Sequence, residues 1–230
     1  MTGTSRWVTI PTVELWTQEM ECLETMTDGP DGGDIGMCEK FKATATVTDS
    51  NLKAIVQAIV NVDIPALTNN VLSGVRLTTK SHAAGTILNQ RGCAVPNTIV
   101  VAYIGLGGTS GYNGGVSLAD ICWEEGDDGD RGFIKSGFIV LGGMYPANCE
   151  TAAHEMAHVL GWMHRSRPEA VPRPSIMYPA GNTGLEKITS WDRQGGQVLY
   201  RERPVGSTAP DKDPPGNTIN WPTPTSVYSF

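Results

Sequence analysis

Residues 154–164 read His-Glu-Met-Ala-His-Val-Leu-Gly-Trp-Met-His and hold three of the chain's four histidines. His154 and His158 are four apart, so on an α-helix they project from one face and can reach one metal ion. Glu155 follows the first of them, where its carboxylate can reach an attacking water without taking a coordination position. Gly161 lets the backbone leave the helix with positive φ, and the chain then returns His164 as a third imidazole. Three neutral nitrogen ligands with one position left open form the donor set of a catalytic zinc site, since a structural site is closed by four protein ligands. The bland alternative is a helix of solvated histidines that ends at a glycine. Three histidines, a glutamate and a glycine fixed at this spacing arise by chance on the order of 10⁻⁵ of the time in a chain this long, which argues against it. The chemistry expected is metal-assisted hydrolysis.

The string has the form His-Glu-x-x-His-x-x-Gly-x-x-His and resembles the extended motif of the metzincin clan of zinc endopeptidases. Ser175-Ile176-Met177-Tyr178-Pro179 is similar to the methionine-containing turn that follows the motif in that clan. The resemblance implies that Met177 forms an apolar floor beneath the imidazoles. A plain core methionine filling a gap is the alternative. Met-Tyr-Pro is the form of the turn typical of matrixins, and residues 185–200 are similar to the C-terminal helix of a matrixin catalytic domain. Thr189 or Ser190 would cap that helix, and Trp191, Gln194, Val198 and Leu199 would mark its inner side. One residue departs from the matrixin pattern: Arg165 stands where serine usually follows the third histidine, and Ser166 comes one place later. An astacin-like or snapalysin-like placement within the clan therefore stays open.

The resemblance implies an α+β fold with a twisted, mostly parallel five-stranded sheet. An antiparallel edge strand, an active-site helix and a C-terminal helix would flank a zinc cleft. Val116, Ser117, Leu118 and Ala119 would form the rim to which substrate adds as a further antiparallel strand. The activity implied is that of a secreted endopeptidase with one zinc held by His154, His158 and His164 and with Glu155 as general base. A competing expectation is a catalytically idle peptide-binding, toxin-like or adhesin module on the same fold. Glu155 argues against it, because a site that only binds needs no base. Tyr178 directly follows Met177, whereas the zinc-reaching tyrosine of astacins and serralysins comes two places after the methionine. Tyr178 is read as structural.

A chain of 230 residues can bury one sizeable core. Residues 1–201 are expected to form the catalytic domain, and the Pro-rich stretch 202–230 an extended tail or linker. Net charge is −7 and no basic track suits nucleic acid. No window approaches the length of an apolar membrane span. The first residues lack the apolar core of a secretion signal, so none is expected within this chain. Protein or peptide substrate is the partner expected, and the chain is expected to be monomeric. Five widely spaced cysteines, Cys22, Cys38, Cys93, Cys122 and Cys149, contain no Cys-x-x-Cys pair. Two disulfides and one free thiol are expected, with Cys22 and Cys38 as a natural pair in an oxidising compartment. Five reduced thiols in a cytosolic protein are the alternative.

Pattern places the elements that must carry the site. Residues 6–16, 41–47, 71–79, 98–104, 116–122 and 132–141 read as extended, with 98–104 apolar throughout and therefore central. Leu52, Ile55, Val56, Ile59 and Val60 recur at helical spacing over 51–62, with Asp49 or Ser50 as cap. Residues 150–161 form the active-site helix, capped by Asn148 or Thr151. Residues 26–36 and the glycine-rich 105–115 are loops.

Weaker features are weighed the same way. Asp127, Asp128 and Asp130 offer oxygen ligands that suit calcium. They lack the spacing of a known calcium loop, so a solvated acidic turn is preferred. A second, structural zinc is not expected, because 105–150 contains no histidine. His82 is read as an ordinary surface histidine. The sequence around Cys93 faintly resembles the matrixin cysteine switch, and Gly33-Asp34-Ile35 the aspartate plug of astacin propeptides. Both are set aside, the first because Cys93 falls inside the expected catalytic domain.

Overall fold

The computed structural model describes residues 6–25, 38–47, 50–89, 95–104, 118–123, 133–142, 149–162, 175–177 and 188–200. They form an α+β structure around one mixed sheet of eight strands. In chain order the strands are β1 (Arg6–Trp7), β2 (Thr12–Thr25), β3 (Cys38–Val47), β4 (Arg76–Lys80), β5 (Ile87–Asn89), β6 (Thr98–Ile104), β7 (Leu118–Trp123) and β8 (Phe133–Gly142). The principal order is β1-β8-β6-β2-β3-β5, with β4 beside β2 and β7 beside β8.

The heart of the sheet is parallel. β4, β2, β6 and β8 run in one direction, with Val13 opposite both Leu77 and Ile99, and Val101 opposite Ile139. β7 runs antiparallel to β8, with Ala119 opposite Ile139. The sheet is wider than the five strands expected, because β2 does not stop at residue 16. It continues to Thr25 and turns back as β3, which pairs with it antiparallel and carries β5 in turn. The charged stretch Glu19-Met20-Glu21-Cys22 conceals this extension, since only every second residue there is buried.

Alternation along the strands builds two cores. Val13, Leu15, Ile99, Val101, Ile139 and Leu141 face the helices. Trp16, Met20, Phe41, Val100, Ala102, Phe138 and Val140 form the second core on the opposite face. Trp16, Phe41 and Phe138 meet there edge-on or tilted, with ring centroids 5.4–6.3 Å apart. The Cys22–Cys38 disulfide clasps β2 to β3, with Cα atoms 5.8 Å apart. Cys122 is disulfide-bonded as well.

Four helical segments cover the first face: α1 (Ser50–Ala58), α2 (Ile64–Leu67), α3 (Cys149–Val159) and α4 (Ser190–Leu199). Helix runs past residue 62, where the periodic pattern ended. A π-helical turn over Ile59–Asp63 joins α1 to α2, and the Ile64 amide reaches back to the Ile59 carbonyl. Pro65 lacks an N–H and its ring crowds the preceding turn, so a wider turn just ahead accommodates it. Val71–Gly74 belong to turns, and the strand expected from residue 71 begins at Arg76.

On α4 Asp192, Gly195, Gly196 and Leu199 are buried, Trp191 is half-buried and Gln194 is exposed. The inner face expected for that helix holds at Leu199 and is corrected at Gln194, whose place inside is taken by residues not expected there. Two glycines and a carboxylate carry no hydrophobic signal, so a pattern of apolar residues passes over them. No helix among the described residues is long and apolar enough to cross a membrane. The acidic run 127–130, Cys93, Gly33–Ile35, Tyr178 and the tail 202–230 lie outside the described residues.

Candidate metal centre

His154 and His158 lie on α3, whose sheet-side residues Ala153, Met156, Ala157 and Leu160 are buried in the first core. The helix sits close to the sheet at Gly137, where a Cβ would lie 2.9 Å from Val159 Cβ. Its C-terminus is capped by Gly161, with φ +99°. The Trp162 amide bonds to the Ala157 carbonyl and the Gly161 amide to the His158 carbonyl, the paired return bonds of a helix that ends at a left-handed glycine. Two further carbonyls of that last turn find side-chain donors from distant parts of the chain. Trp7 Nε1 donates to Val159 O at 2.7 Å, and Tyr200 Oη donates to Leu160 O at 2.7 Å. The end of α3 is thus held by the first strand and the last helix together.

Each imidazole is turned by a backbone carbonyl. His154 Nδ1 donates to Ile176 O, and His158 Nδ1 donates to Trp162 O at 2.8 Å. A carbonyl only accepts, so both Nδ1 atoms carry the proton and both Nε2 atoms of the neutral rings present lone pairs. Those two Nε2 atoms face each other at 3.1 Å. Bare lone pairs repel at that distance, so the pair asks for a positive charge between them. Burial holds the His154 pKa below the ordinary histidine value, which disfavours a proton as that charge. A zinc ion with nitrogen ligands at about 2.0–2.1 Å in tetrahedral array holds neighbouring nitrogens roughly 3.3 Å apart. The pair therefore fits a divalent cation of this kind.

Ile176, which turns His154, belongs to Ser175–Met177, all three buried. Met177 is fully buried within the first core. Asp192 of α4 holds this turn in place. Its Oδ1 accepts from Ser175 Oγ at 2.6 Å, and its Oδ2 accepts from the Ile176 amide at 3.4 Å. Oδ2 also accepts from the Thr189 amide and hydroxyl at 2.8 and 2.7 Å. Thr189 Oγ1 accepts in turn from the Asp192 amide, closing a capping box at the start of α4. Asp192 went unnoticed in the motif reading. The signal available was Thr189-x-x-Asp192, a cap spacing rather than a catalytic one.

Glu155 is buried, and burial pushes its carboxyl up to about 8 in the chain without metal. A divalent cation beside it favours the carboxylate and opposes that shift. His164 and the rim residues Val116 and Ser117 lie outside the described residues. Leu118 and Ala119 open β7, which among the described strands pairs with β8 alone. Among the described residues the histidine pair gathers no third His, Cys, Asp or Glu. His82, read as a surface residue, is half-buried on the opposite face of the sheet, edge-on to Trp16 with centroids 4.9 Å apart. No family model, no curated protein and no solved structure matches this chain.

Proposed function

We propose that the chain is a zinc-dependent endopeptidase of metzincin type, matrixin-like in its methionine turn and last helix. One observation carries the reading: a buried and a half-buried imidazole, each with Nδ1 committed to a backbone carbonyl, direct their Nε2 lone pairs at a common point. Structural metal sites share that feature, but the adjacent buried Glu155 gives this one a base. His154 and His158 would hold the metal with Nε2, and His164 would be the third ligand. Zinc, when bound, supplies a Lewis acid that acidifies water and polarises a carbonyl.

The rest falls to the chain's own residues. Glu155 takes the proton from the attacking water and passes it to the departing amine, so one carboxylate acts as base and then as acid. Its burial keeps bulk water from competing for the proton. β7, which among the described strands pairs only with β8 and antiparallel to it, suits an extended peptide that adds by backbone hydrogen bonds and is read with little regard to side chain. The Cys22–Cys38 disulfide supports an oxidising compartment and hence secretion.

The test is cleavage of denatured casein or gelatin by the purified chain, with and without a chelator. Glu155→Gln should lose turnover by at least about 10²-fold, the scale of a general base, while retaining its zinc. Full proteolysis by that variant removes Glu155 from its role. Zinc-loaded wild type that binds peptide and never cuts it leaves the idle binding module as the better reading.

A further inference from the structure

We propose that helix α4 orients His158 through Trp162, making Trp162 and Gly195 positioning residues for the second imidazole. The inference rests on the metal-centre reading of the histidine pair. The Trp162 carbonyl takes the His158 Nδ1 proton and so frees Nε2. Where that carbonyl points depends on where residue 162 is seated. Its indole is 1% exposed and lies against α4 so closely that a Cβ on Gly195 would be 2.2 Å from Cη2 and 2.5 Å from Cζ3. Only a residue without a side chain leaves that seat open.

The seat has a cost in helix propensity. Gly195 and Gly196 stand in the body of α4, where glycine is less favourable than alanine. Among the described residues the buried Trp162 Nε1 finds no hydrogen-bond partner, so close packing is what these residues contribute to holding the ring. Tyr200, at the end of the same helix, fastens the Leu160 carbonyl two residues earlier in the turn. Asp192, at its start, fastens the turn whose Ile176 carbonyl orients His154. Both imidazoles therefore take their orientation from one helix, by two separate routes.

Gly196 supplies an internal control. A Cβ there would lie 2.4 Å from the Leu67 carbonyl oxygen of α2 and is not placed against Trp162. The experiment uses the full chain with two readouts: zinc affinity by chelator competition, and the His158 ring tautomer by ¹⁵N NMR of the metal-free protein. Gly195→Ala is expected to weaken zinc binding about 10–100-fold, the range for partners behind a ligand, and to spread His158 over two tautomers. Gly196→Ala is expected to lower the melting temperature comparably, with a single tautomer and zinc affinity within about two-fold of wild type. Trp162→Leu empties the seat without a clash and should follow Gly195→Ala, which keeps the test alive if the alanine variant does not fold. Equal losses in both glycine variants would reduce the effect to stability and overturn the proposal, as would an unchanged His158 in Gly195→Ala and Trp162→Leu. Wild-type chain that binds no zinc defeats the metal-centre reading, yet the tautomer shift in metal-free protein still decides the positioning role.

Discussion

At the scale of single residues, Asp192 shows how a carboxylate far from the helix of histidines governs one of them. Its two oxygens collect four donors from Ser175, Ile176 and Thr189. Burial of the side chain is complete, and the first turn of α4 adds the favourable end of the helix dipole. Asparagine offers one acceptor oxygen and turns an NH₂ toward donors. Asp192→Asn should therefore cost about 3 kcal/mol, the loss of hydrogen bonds to a charged group. Urea denaturation measures that figure. Zinc affinity should fall with it, because Ile176 O is then free to drift from His154. A variant with wild-type denaturation midpoint and metal affinity would show that the turn stands without this anchor.

At the scale of elements, the site depends on how closely α3 approaches the sheet. Gly137 of β8 allows that approach, with Val159 where a side chain would otherwise stand. Val159 is β-branched and stiff, so it cannot swing aside. Gly137→Ala should lift the end of α3 and destabilise the fold by about 1–3 kcal/mol, the usual cost of overpacking. Val159→Ala in the same background should recover little of the loss, because the nearest contact is with Cβ, which alanine keeps, and thermal unfolding of the single and double variants tests it. Full recovery would place the strain at the Val159 methyl groups instead of at this backbone approach. The helix ends tell a similar story, since Trp7 and Tyr200 come from opposite ends of the described chain to satisfy neighbouring carbonyls. No local pattern in 149–162 announces those two donors.

At the scale of the whole molecule, Asp63 links the helical layer to solution pH. Burial pushes its carboxyl up to about 6, partly opposed by Arg193 of α4, against an ordinary value of about 3.9. The folded state then holds this proton more tightly than the unfolded state. The stability it contributes is full below pH 4 and is lost as pH rises through 6. Asp63→Asn should therefore melt higher than wild type at pH 7 and equally at pH 4, both measured without metal. A constant difference across that range would mean that Asp63 does not titrate as its burial demands. The helix of histidines, its glycine end, the central apolar strand and the partnership of Cys22 with Cys38 are legible in the order of residues. Each rests on local spacing, which the backbone converts directly into a shared face, a turn or a short reach. What turns the imidazoles, how far β2 and β3 extend and which residues of α4 face inward emerge when the folded chain is assembled. Those depend on carbonyls, glycines and a capping carboxylate, groups whose role is defined by what the fold brings against them and not by their own place in the chain.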